Sequence, residues 1–255
     1  LGDVYKRQAS NDAGSADNSC EAESVPASAV AMAGSSGVSG AGSAATAGDS
    51  STTGSSSAGN TVTASTRFKR LELHNHTVES DGSLTCQELT EYLAADHVDA
   101  FAITDHNTTS GQKKIEQLLE EKHYPISLIR GMEYTTYFGH ILCLNLAKYV
   151  PWNSIDQHRP ELLFEAAREK GALVGIAHPF SYGDPFARGC RFEMTISDYS
   201  KVDFIEIFNN PEPLHEVNER GTNLWMSLIF SGYQITATSG MDLHNRAKLA
   251  GCYAT

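Results

Sequence analysis

Two histidines one residue apart, His74 and His76, close the alternating stretch 71–82, Leu-Glu-Leu-His-Asn-His-Thr-Val-Glu-Ser-Asp-Gly. In a strand, residues i and i+2 point to the same face, so the two imidazoles can aim at one point, as half of a metal site does. Asp81 and Gly82 follow in a turn, which puts a hard oxygen donor within reach. By itself a His-x-His pair also fits an ordinary surface strand, so its meaning rests on what the rest of the chain supplies. Further candidate donors are His106 with Asp105 beside it, Glu133, His140, His178, and Asp242 with His244. Mixed imidazole and carboxylate donors suit Mn²⁺, Fe²⁺ or Zn²⁺, and the extra oxygen shifts preference toward Mn or Fe.

Local patterns place these residues. Residues 85–95 read as a helix with Leu89, Tyr92 and Leu93 on one face, and 110–122 as a second with Ile115, Leu118 and Leu119 inward. Residues 160–170, with Pro160 near the first turn, and 213–231, closed by Gly232, complete the helices. Strands are expected at 99–104, 126–129, 139–146, 172–177, 202–208 and 235–238, with 249–255 as the start of one more. Strands alternating with helices suggest parallel βαβ units. In a parallel barrel all C-terminal strand ends converge on one mouth, where a site is built. Asp105-His106, Glu133, His178 and the Asp242–His244 pair follow strands, and His140 opens one.

Each of these histidines alone is read as readily as a satisfied core or loop residue. Six histidines and three carboxylates at strand termini are harder to explain without ions, because burying so much polar surface is costly. His97, His123, His158 and His215 fall in helices or loops between polar neighbours and read as solvated or locally bonded.

Composition limits the rest. Residues 9–66 are dominated by Ser, Ala, Gly and Thr and cannot bury enough surface to offset the entropy of ordering them. Residues 1–66 therefore read as a disordered tail and 67–255 as one α/β domain. The start at Leu1 rather than Met reads as a fragment boundary or a mis-called start, so the tail need not be native. The final stretch reads as a strand cut short, which would leave the barrel incomplete at its C-terminus. No run approaches the ~20 apolar residues of a membrane span. A formal net charge of −12 argues against nucleic acid as a main partner. Five widely spaced cysteines without a Cys-x-x-Cys fit neither a disulfide framework nor a zinc ribbon, and the expected compartment is the cytoplasm.

The ordered set His-x-His…Ser-Asp-Gly, Thr-Asp-His-Asn, Gly-x-Glu, Ala-His-Pro and Asp-x-His resembles the PHP (polymerase and histidinol phosphatase) family, and within it the CehA/McbA branch of metallohydrolases. The resemblance runs from about residue 71 to the chain end. It implies a distorted seven-stranded (β/α) barrel with two or three divalent ions at its mouth. One site would use His74, His76, Glu133 and Asp242, with Glu133 bridging to a second completed by His140 and His178. A third would use Asp81, His106 and His244, with Asp81 standing where many family members have a histidine.

The resemblance further implies a hydrolase, with phosphoester cleavage the leading expectation. Two ions sharing the Glu133 bridge can hold a water, lower its pKa and aim it at a scissile bond. Carbamate, ester or amide hydrolysis by the same centre is the alternative, and a non-catalytic metal-binding module is a third reading. Asp105 could orient a ligand imidazole or simply cap a turn. Arg188, on the loop after His178, could clamp a phosphate or form a surface ion pair. Asn209 and Asn210 could donate to substrate or make a turn. The loops 134–139 and 180–192, with Tyr137, Phe138, Tyr182 and Phe186, suggest an aromatic entrance to a small-molecule pocket.

Overall fold

A computed structural model of the chain describes residues 68–151, 156, 158–182, 188–209 and 214–246. The expected tail and the expected strand at 249–255 lie outside the described residues. Within them the chain makes seven strands in one sheet whose spatial order is the sequence order. These are β1 (Leu71–Glu72), β2 (Ala100–Ile103), β3 (Ser127–Thr136), β4 (Gly139–Leu144), β5 (Leu173–Ile176), β6 (Phe204–Asn209) and β7 (Thr236–Gly240). Four helices connect them: α1 (Cys86–Ala95), α2 (Ser110–Lys122), α3 (Glu161–Arg168) and α4 (Glu216–Phe230). Among the described residues no helix is long and apolar enough to cross a membrane.

The helix starts follow local chemistry. Thr85 caps α1, its hydroxyl accepting from the Glu88 N–H while the Glu88 carboxylate accepts from the Thr85 N–H. Leu89 and Leu93, one turn apart, are then fully buried with Phe101, Ile103 and Ile115 in a cluster under α1 and α2. A second cluster, including Leu163, Phe164, Val174, Ile176 and Leu228, lies under α3 and α4. A third gathers Leu73, Ala102, Leu142, Ala177 and Phe204 from successive strands, as the interior of a barrel does.

The expected run of parallel units is corrected at β4, which pairs antiparallel with both β3 and β5. Only Tyr137 and Phe138 separate β3 from β4. A parallel crossover needs a dozen or more residues, so two permit only a hairpin. β3 is also longer than the expected 126–129. Its first residues pair with β2, and from Gly131 onward it pairs with β4. A side chain at Gly131 would stand 2.9 Å from the Ile103 carbonyl and 3.0 Å from that of Cys143, so the changeover requires glycine. Glu133 consequently sits inside a strand, not after one.

Past their named ends, the first and last strands meet in a parallel pairing of Asn75 with Leu243. The His76 N–H donates to the Leu243 carbonyl at 2.9 Å, and the Leu243 N–H to the His74 carbonyl at 3.2 Å. The barrel is thus joined at the residues that carry candidate donors.

Gly175 on β5 gives a test of the interior packing. The Phe204 ring lies where a side chain at 175 would be, 2.2 Å from an added Cβ. Gly175→Ala is expected to destabilise the domain by about 1–3 kcal/mol through overpacking. Thermal unfolding followed by circular dichroism should show a midpoint lower by several degrees, and an unchanged midpoint would contradict this packing.

Candidate metal centre

Nine side chains converge at the mouth, and the local fold explains how each arrives. His74 and His76 extend β1 and are fully buried, their rings 5.1 Å apart. After them the chain turns back, with the Ser80 and Gly82 N–H groups donating to the Thr77 carbonyl. A side chain at Gly82 would strike the His76 backbone at 2.6 Å, so glycine lets this turn fold close enough to present Asp81. His106 follows β2, and the His106–Glu133 bridge sets it beside β3. The β3–β4 hairpin places Glu133 two residues from Thr135, the cross-strand partner of His140. His178 follows β5; Asp242 and His244 follow β7. His178 and Asp242 both have positive φ, at 24° and 50°, conformations that side chains usually avoid and that recur at functional sites.

Glu133 is the hub. Its Oε1 lies 3.0 Å from His140 Nδ1 and 3.2 Å from His178 Nε2. Its Oε2 lies 3.4 Å from His74 Nε2, 3.4 Å from His76 Nε2 and 2.8 Å from His106 Nδ1. Asp242 Oδ1 stands 3.3 Å from His74 Nε2 and 3.0 Å from His76 Nε2. Asp81 Oδ1 stands 3.5 Å from His106 Nε2 and 3.3 Å from His244 Nε2. Donor atoms lie within 4.8 Å of one another in four groups: His74, His76 and Asp242; His74, Glu133 and His178; His106, Glu133 and His140; and His76, Asp81, His106 and His244. The expected pair His140 and His178 meets at Glu133 Oε1 but falls in two different groups.

These donors suit divalent ions. Donors each about 2.1 Å from a shared ion stand roughly 3–3.5 Å apart, the spacing found here. Several of the atoms also lack any other partner. Among the described residues, His74 Nε2, both nitrogens of His76, Glu133 Oε2, Asp242 Oδ1 and His244 Nε2 are buried with no hydrogen-bond partner. Buried polar atoms are seldom left so, and ions at the mouth would satisfy one nitrogen each of His74, His76 and His244 together with Glu133 Oε2 and Asp242 Oδ1.

Electrostatics follow the same pattern. Burial opposes charge on Glu133, yet His74, His140 and His106 hold its carboxyl well below the usual range. Burial, then the imidazoles of His244 and His106, drive His76 down to about 3. Burial also resists charge on His178, but Glu133 outweighs it and the imidazole rises to about 9. For His244 the carboxylates of Asp242 and Asp81 do the same, again to about 9.

Other expectations fare differently. The Asp105 carboxylate accepts from the Thr77 N–H at 2.7 Å and the Ser80 hydroxyl at 2.8 Å, so it holds the turn that carries Asp81, the second of its two sequence readings. Arg188 opens a short 3-10 turn, Arg188–Cys190, and its side chain lies outside the described residues. Asn209 is buried and its amide donates to Glu206; Asn210 and Phe186 lie outside the described residues. Tyr137 and Tyr182 are exposed, whereas Phe138 packs its ring 3.9 Å from that of His158. His123 ends α2 and His215 caps α4, as local roles required.

Orientation of the imidazoles falls to groups that the patterns did not single out. Glu206 on β6 contacts His74 Nδ1 at 3.0 Å, and His178 Nδ1 donates to the Cys190 carbonyl at 2.9 Å. Glu72 accepts the His74 and Met241 N–H groups, and burial pushes its carboxyl up to about 8. One signal was available for both acids. Leu-Glu-Leu and Ile-Glu-Ile each put a carboxylate inside an apolar strand, where only a specific partner makes burial tolerable.

Without a bound ion, His178 and His244 hold protons below about pH 9. Ligation needs neutral imidazole, so binding must displace those protons. Apparent affinity for Zn²⁺ or Mn²⁺ is expected to rise from neutral pH toward 9. Calorimetry in buffers of different ionisation enthalpy should show proton release, and a pH-independent affinity without release would contradict ligation by these groups.

Comparison with known proteins places this geometry. A 5'-3' exoribonuclease of Haemophilus influenzae is 36% identical over 141 residues, 52% of this chain and 50% of that protein. The chain spans about half the length of the curated relatives it matches. Among solved structures, a two-domain Bacteroides vulgatus protein containing a predicted PHP-like metal-dependent phosphoesterase superposes with a TM-score of 0.54 at 19% identity, covering 69% of this chain and 52% of that one. An amidohydrolase of Chromobacterium violaceum superposes at 0.51 with 16% identity, covering 72% and 91%. The PHP domain family model matches residues 72–207, more than half of the chain, and the chain belongs to that family.

Proposed function

We propose that residues 67–255 form a metal-dependent phosphoesterase of the CehA/McbA-like branch, with two or three divalent ions (Mn, Fe or Zn) at the barrel mouth. The observation that carries this reading is the placement of Glu133. One buried carboxylate has Oε1 between His140 and His178 and Oε2 among His74, His76 and His106. That is the arrangement of a bridging ligand.

In this reading His74, His76, Glu133 and Asp242 hold one ion, and Glu133, His140 and His178 a second. Asp81, His106 and His244 hold a third. Ions bound there supply Lewis acidity to a phosphoryl oxygen and make a water acidic near neutral pH. The chain's own work is positional. Glu133 fixes the spacing of the two halves, and Asp105 secures the turn that offers Asp81. A guanidinium suits a phosphate bidentately, and that is the role proposed for Arg188, which follows His178 in the chain.

A small or terminal phosphoester fits best as substrate. The relatives named 5'-3' exoribonuclease favour a nucleotide-bearing phosphoester as a second reading. The net charge of −12 opposes retention of a long polyanion, since no counterion release would support it.

Hydrolysis of phenyl phosphates and short oligonucleotides with added Mn²⁺, but not of aryl carbamates, is the expected outcome of a substrate screen. Carbamate cleavage without phosphoester cleavage would overturn the phosphoesterase assignment. Glu133→Ala should lower phosphoester turnover by about 10²- to 10³-fold, the scale on which loss of a charge-stabilising group acts. Retained turnover would refute the bridging role.

A further inference from the structure

Glu206 carries a role that none of the nine donors performs. It sits on β6 at a register shift, where the strand bulges between Glu206 and Phe208 against β7. A bulge re-aims side chains, and here it turns a carboxylate into the protein, 1% exposed. The close approach is built in by Gly240 on β7. An added Cβ there would stand 2.4 Å from Glu206 Oε1 and 2.5 Å from His74 Cβ.

The hydrogen bonds of Glu206 reach both halves of the centre. Oε2 accepts from the His178 backbone N–H at 3.0 Å and from the Asn209 amide at 3.0 Å. The ring nitrogen Nδ1 of His74 lies 3.0 Å from Oε1 and 3.2 Å from Oε2. A backbone N–H can only donate, so Glu206 faces His178 as an acceptor. A carboxylate that also meets His74 as an acceptor requires the hydrogen of that ring on Nδ1. The lone pair is then on Nε2, which faces Glu133 Oε2 at 3.4 Å and Asp242 Oδ1 at 3.3 Å and has no other partner.

We propose that Glu206 is a positioning residue that fixes the Nδ1–H form of His74 and, through the His178 N–H, ties the two ion-binding halves together. It rests on the metal-binding reading above and adds a residue outside the donor set. Carboxylate partners of this kind are worth about 10- to 100-fold in metal affinity.

Glu206→Gln separates this role from mere packing, because it keeps size and shape. Glutamine has one acceptor oxygen, which the His178 N–H claims. Its NH₂ group then faces His74 Nδ1 and drives the hydrogen onto Nε2, the nitrogen needed for the ion. Zinc affinity should fall about 10- to 100-fold in E206Q. Nitrogen-15 spectra of the zinc-loaded wild type should show His74 bound through Nε2 with a protected Nδ1–H, and E206Q should lose that signal. A wild-type spectrum with His74 bound through Nδ1, or with an exchanging Nδ1–H, would overturn the proposal without any variant. Unchanged zinc affinity and spectrum in E206Q would also overturn it. Absence of zinc binding by the wild type would instead refute the metal-binding reading itself.

Discussion

Glu133 is a fully buried carboxylate with five imidazole nitrogens within 3.4 Å, from His74, His76, His106, His140 and His178. A buried carboxylate is costly unless paired, and so many imidazoles around one acid repel each other once protonated. The cluster is consistent only as a set in which each charge is answered. His76 illustrates the tension, held neutral by burial and by His244 and His106, while Glu133 is held charged. Divalent ions relieve it by giving the neutral imidazoles and the carboxylates a common partner.

The barrel exists in a form that can assemble this set. A strictly parallel sheet would deliver donors only from strand ends. The β3–β4 hairpin instead places Glu133 within a strand and His140 across from Thr135, so that both look into the same mouth. The pairing of Asn75 with Leu243 joins the first and last strands where His74, His76, Asp242 and His244 lie. The joining of these two strand ends and the placement of four candidate donors therefore coincide. Beneath the donors, Glu206, Glu72, Asp105 and the Cys190 carbonyl aim the rings and hold the turns.

Much of this was legible from residue order. The helix at Ser110–Lys122 was readable to the residue, because its apolar stripe stands between a polar start and a helix-ending His123 at φ 55°. Most of the candidate donors were legible because so many His and acid residues beside apolar strands are hard to explain structurally, whereas Asp81 was read from a turn. The hairpin was not legible, because Tyr137-Phe138 lacks the Asn-Gly or Asp-Gly that announces a tight turn. Sequence left Asp105 between two readings because its partners, Thr77 and Ser80, depend on how the 77–82 turn folds back. Glu206 was passed over although an acid within Phe-Ile-Glu-Ile-Phe carries the same cost as one beside a histidine. Polarity inside an apolar strand is thus as informative as polarity at its end.

The central claim is that the mouth is a multinuclear metal centre hinged on Glu133. Elemental analysis of the purified chain, with metal counted per polypeptide after equilibration with Mn²⁺ or Zn²⁺ and removal of the excess, tests it most directly. At least two ions per chain are predicted. One or none would contradict the account, because Glu133 would then bridge nothing.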